Sequence, residues 1–90
     1  MDEKIVQIAE GVIKSALELE VNKSFFNDKL VRENLHPLVN DELQRNHLIG
    51  RYNEDITQNS THNALINLGY YYENYTRLVP RATIGHYRKF

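Results

Sequence analysis

Residues 61–90 read THNALINLGYYYENYTRLVPRATIGHYRKF, and the fold turns on how this stretch is divided. Ala64, Leu65, Leu68, Tyr71, Tyr72, Tyr75, Leu78 and Val79 recur at steps of three and four, the period of an amphipathic helix. Ser60 or Thr61 is placed to cap its start, and Pro80 to end it. The period therefore predicts a long last helix over 61–79, followed by a basic, aromatic tail over 80–90.

Upstream, Ile5, Ile8, Ala9, Val12, Ala16 and Leu19 form one stripe, widened by Val6, Ile13 and Leu17, and predict a first helix over 3–20. Gly11 inside it reads as a point of close helix contact. Ser24 is a candidate cap for a second helix over 25–35. Pro37 disfavours helical geometry at His36, so that helix should end there and a third begin at Pro37 and run to Ile49. Leu38, Val39, Glu42, Leu43, Asn46 and Ile49 trace its inner stripe, and Gly50 should take the left-handed conformation beyond its end. Residues 51–60 read as a loop with one helical turn at Glu54, Asp55 and Ile56. The expected fold is all-α without a sheet: a bundle of three to four helices, long at both ends. A helical domain over 1–79 would carry the tail 80–90 as part of the same unit.

Ninety residues make one domain, and a chain of this length buries only about 60–65% of its unfolded surface. No cysteine is present, which excludes disulfides, thiol catalysis and cysteine-based zinc sites. No run approaches a membrane span, and the acidic start Asp2-Glu3 lacks the lead of a signal peptide, so a cytoplasmic location is expected. Net charge is −1 but polarised. Residues 1–20 hold two lysines against five acids, whereas 70–90 hold Arg77, Arg81, Arg88 and Lys89 against Glu73.

Candidate chemistry is sparse. His36, His47, His62 and His86 show no metal-ligand spacing, and no metal or other cofactor is expected. Asp41-Glu42 and Glu54-Asp55 are adjacent pairs that diverge on a helix rather than converge on one atom. On a helix, Tyr70, Tyr71 and Tyr72 sweep about 200°, leaving Tyr70 exposed while Tyr71, Tyr72 and Tyr75 pack.

The leading expectation is a small non-enzymatic helical protein, a bacterial or phage regulator or inhibitor, acting by contact with another protein and by self-association. Its interface would draw on Tyr71, Tyr72, Tyr75, Leu78 and Phe90. The alternative is a binder of a phosphate-bearing ligand (a nucleotide, cyclic nucleotide or nucleic acid). Tyr70, Arg77, Arg81, His86, Tyr87, Arg88 and Lys89 would then supply charge and stacking. A third reading comes from Arg81 and His86, whose spacing alone resembles the R-x(4–6)-H motif of helical HEPN ribonucleases. That resemblance implies an arginine on phosphate and a histidine moving a proton.

Overall fold

The computed structural model describes residues 2–18, 25–78 and 81–90. Helix α1 spans Glu3–Glu18. Strand β1, Phe25–Asn27, leads into α2, Asp28–Leu30, a π-helical segment, Val31–Leu35, and α3, His36–Arg45. Helix α4 covers Glu54–Asn67, and strands β2, Tyr70–Leu78, and β3, Arg81–Lys89, complete the chain. The sheet is antiparallel in the order β1-β3-β2. The expected all-α bundle is thus overturned: helices pack against a sheet in a mixed α and β fold.

The error lies in the tyrosine stretch. Gly69 has φ +97°, a conformation few side chains tolerate, and it ends the last helix eleven residues before Pro80. Beyond it, Tyr70 to Thr76 is rich in tyrosine and threonine, which suit a pleated surface. The tyrosines therefore alternate between two faces instead of sweeping around a helix. Tyr70 is buried, and Tyr72 is exposed at its rim, the reverse of the helical assignment. Leu78 pairs with Arg81, so 81–90 is no tail: β3 is the central strand and buries Gly85, His86 and Tyr87.

Helix α4 starts not at Ser60 or Thr61 but at Asn53, whose side chain accepts a hydrogen bond from the Ile56 N–H at 3.0 Å. Most of the expected loop 51–60 is therefore helical. Ser60 and Thr61 are fully buried inside it. Pro37 does not break the second helix either. In the π-helical turn ahead of it, the His36 N–H bonds the Val31 carbonyl, and this wider turn accommodates the proline ring without ending the helix. The expected helical start at Phe25 is strand, and Asn27 caps α2 by accepting from the Leu30 N–H at 2.8 Å. The proposed cap Ser24, together with Leu19, Val79 and Pro80, lies outside the described residues.

Helix α3 stops at Arg45 rather than Ile49. His47, not Gly50, takes the left-handed position, at φ +59°. Leu48 N–H to Leu43 O and His47 N–H to Gln44 O then satisfy the last carbonyls in a Schellman arrangement.

The core gathers Ala9 and Ile13 of α1, Val31 and Leu35, Val39 and Leu43 of α3, Ala64 and Leu65 of α4, and Tyr70 and Tyr87 of the sheet. Val6 and Ile13, expected at the margin of the α1 stripe, are buried with Ala9 at its centre. Leu38, expected inside, is exposed. Asn40 is buried and binds α3 to α4, its Oδ1 accepting from Asn53 N and Thr57 Oγ1, each at 3.4 Å. No described helix is long and apolar enough to cross a membrane.

Gly11 is helical, but a Cβ there meets nothing within 4 Å, so close contact does not explain it. Gly11→Ala should stabilise the protein by about 0.5–1 kcal/mol in urea unfolding. His47→Gly should add a gain of about 1 kcal/mol by relieving the left-handed strain.

Candidate functional site

Two polar ladders face each other across a pocket of about 480 Å³. Asp28, Arg32 and His36 stand at four-residue steps along the helix that starts at Asp28, and Glu54, Gln58 and His62 stand at the same steps along α4. Four-residue spacing places side chains on one helix face. The sheet contributes Tyr72 and Tyr87, a cross-strand pair with ring centroids 4.8 Å apart.

Two hydrogen bonds tie the sheet to the helices. The Tyr72 hydroxyl donates to Asp28 Oδ2 at 2.8 Å. Tyr87 Oη and His62 Nδ1 lie 2.7 Å apart and share a hydrogen. The first bond needs Gly85. A Cβ there would overlap the Tyr72 hydroxyl, press on the Asp28 carboxylate, and approach Tyr72 Cζ to 2.6 Å. The missing side chain lets the phenol cross β3 and reach the helix.

Burial, followed by the hydrogen bond and charge of Asp28, raises the Tyr72 pKa from 10.0 to about 12. Burial raises Tyr87 further, with the charge of Asp28 adding to it. Both phenols are neutral at ordinary pH and serve as hydrogen-bonding groups. His36 is lowered, by burial first and then by the Arg32 charge, against the pull of Glu54 and Asp28. Arg32 has no ion-pair partner among the described residues.

The sequence-derived candidates are dispersed. Of the described side chains in the phosphate set, only Tyr87 lines this pocket. Tyr70 is in the core with the Lys89 ammonium 5.9 Å from its ring centre. His86 is buried against Glu73, and Arg88 Nη1 lies 3.5 Å from the same carboxylate. The His86 hydrogen bond lowers the Glu73 pKa, against a smaller cost of desolvation and with help from the charges of His86 and Arg88. Arg81 is exposed at the far end of the hairpin. The side chains of Arg77 and Tyr75 lie outside the described residues.

Of the interface set, Tyr72 lines the pocket. Tyr71 packs on Phe90 with ring centres 4.8 Å apart, and Leu78 is 79% exposed. The R-x(4–6)-H spacing is not helical here. Arg81 and His86 sit five residues apart on one strand, roughly 17 Å along it and on opposite faces. No set of three or more His, Asp or Glu among the described residues is arranged to hold a metal ion.

Asp28, Arg32, His36, Tyr52, Glu54 and His62 are pocket residues that the sequence reading did not group. Their signal is the pair of four-residue ladders, which a loop over 51–60 and a helix break at His36 would interrupt. No protein-family model, curated protein or solved structure matches the chain.

Gly85→Ala should destabilise the fold by about 1–3 kcal/mol, and Tyr72→Ala in the same chain should remove much of that cost. Measured unfolding of the two single variants and the double variant reads the coupling.

Because the folded Tyr72 pKa is raised, its contribution is complete below pH 10 and declines as pH climbs toward about 12. An ultraviolet ionisation titration should show Tyr72 titrating late, and Asp28→Asn should bring it down.

Proposed function

We propose that this chain is a small cytoplasmic contact protein, without enzymatic activity, that pairs with a second copy of itself along β2. The observation that carries this reading is the outer edge of that strand. Tyr70–Leu78 is nine residues long, and from Tyr71 onward no described strand pairs with its far side. Such an edge is a template for another strand. Natural edges are guarded by proline, lysine or short length. This one has no proline or lysine, and Glu73 and Arg77 are its only charges.

The register defines which groups are offered. Phe90 N–H bonds Gly69 O at 3.0 Å, marking that pair as hydrogen-bonded within the hairpin. Antiparallel pairs alternate, so Tyr71, Glu73, Tyr75 and Arg77 turn their backbone groups toward β3. Tyr72, Asn74, Thr76 and Leu78 turn theirs outward, while Tyr70 at the near end is buried. A two-fold axis at Asn74 sets Tyr72 opposite Thr76 of a second copy. About six backbone hydrogen bonds then form, and two three-stranded sheets join into one.

Side-chain exposure agrees with an unfinished surface. Asn74, Thr76, Leu78, Arg81, Ala82 and Thr83 are all exposed, so the far half of the hairpin extends beyond the helices. The molecule measures 44 × 26 × 21 Å. A regulator or inhibitor that presents such an edge could also add it to the sheet of another protein.

Asn74→Pro removes one outward N–H and leaves the β2–β3 hydrogen bonds in place. Light scattering at micromolar concentration should give wild-type protein the mass of two chains and the variant the mass of one, with unchanged circular dichroism. A wild-type monomer at high concentration, or a proline variant that still dimerises, would overturn this proposal.

A further inference from the structure

We infer that the pocket between the two helical ladders binds a nucleoside monophosphate, independently of any pairing along β2. Its volume of about 480 Å³ lies within the range of small-molecule sites. Five of its lining residues carry rings: His36, Tyr52, His62, Tyr72 and Tyr87. Tyr52 is 55% exposed and offers its ring as a stacking surface.

The polar groups divide by chemistry. Arg32 is the pocket's one arginine or lysine and has no ion-pair partner among the described residues, so a single phosphate is the anion it can hold. Glu54 lacks a hydrogen-bond or ion-pair partner among the described residues and can accept from ribose hydroxyls, which are donors. Gln58 and Asn59 both line the pocket and combine donor and acceptor, as recognition of a base edge requires. The charges of Asp28 and Glu54 against Arg32 leave a net of −1 from these three groups. That balance works against every phosphate and most against di- and triphosphates, so a monophosphate is held by direct contact with the Arg32 guanidinium rather than by the field of the pocket.

The Tyr72–Asp28 and His62–Tyr87 hydrogen bonds keep four of the lining side chains in position before anything binds. Little of the interaction is therefore lost to ordering the site. The basic groups read from the sequence, Arg81, Arg88 and Lys89, do not line this pocket, so the ligand chemistry anticipated from them is reassigned to Arg32 and the ring-lined cavity.

The test is a titration of the full chain, isotope-labelled for NMR, with AMP, GMP, CMP and UMP and with their nucleosides, to millimolar concentration. At least one monophosphate should shift the resonances of Arg32, Tyr52 and Asn59 with saturation. Arg32→Ala should weaken that monophosphate roughly tenfold and leave its nucleoside unchanged, whereas Tyr52→Ala should weaken both. Arg32 and Tyr52 are exposed, so both variants should retain the wild-type circular dichroism. Absence of saturable shifts at the pocket for every compound overturns the inference. So do shifts confined to Arg81, Arg88 and Lys89, or equal weakening of nucleoside and monophosphate by Arg32→Ala.

Discussion

The backbone at Gly69 is the constraint on which the rest of this structure depends. Its positive φ ends α4 and turns the chain into β2, while its carbonyl accepts the Phe90 N–H and closes the near end of the hairpin. A residue with a Cβ would adopt this conformation at a cost. Without the turn, the tyrosines would continue around a helix, β3 would lose β2, the longer of its two partners, and Tyr87 would lose its cross-strand neighbour Tyr72.

The second dependency is a missing side chain. Gly85 leaves a gap in the central strand, and the Tyr72 phenol passes through it to Asp28. The sheet is thus held to the helices by one exposed and one half-buried polar contact, Tyr72 to Asp28 and Tyr87 to His62, as well as by apolar packing. Hydrogen bonds of this kind contribute modestly when made and cost more when one partner is left alone. On the opposite face of the sheet, polar contacts join β2 to β3 instead, with His86 and Arg88 on Glu73. Their contribution is present when Glu73 is ionised and falls away as pH drops below the ordinary carboxylate value of 4.5.

Much of the helical half was legible in the sequence. The α1 stripe, the apolar positions Val39 and Leu43, and the pairing of Ala64 with Leu65 all follow from periodicity. The sheet was not legible, because Leu65, Leu68, Tyr72, Tyr75 and Val79 satisfy a helical period as well as they suit a strand. Local residue chemistry decided the matter at Gly69, whose four-atom backbone carries more structural information than the six apolar residues that follow. The pocket was obscured by two smaller choices. Reading Pro37 as a break hid the Asp28, Arg32, His36 ladder, and assigning the cap to Ser60 or Thr61 hid that of Glu54, Gln58 and His62. Asn53 had the same capping chemistry and stood one position before two acids, which favour a helix start.

Strand β1 has a consequence for the order in which the molecule assembles. Phe26 pairs with Tyr87, some sixty residues away, whereas β2 and β3 join through a hairpin. Closing a loop of that length costs roughly 3–4 kcal/mol beyond a constant contribution, and three residues of ladder return little of it. The hairpin has short-range contacts and can form early, while the packing of α1 on α4 closes a separation comparable to that between β1 and β3. Once hairpin and helices dock, the ends that β1 must bridge are already near each other, and its pairing becomes nearly local. The three-residue strand is therefore a latch, closed last and opened first, and its exchange with solvent reports on the docking of sheet and helices rather than on the stability of either alone.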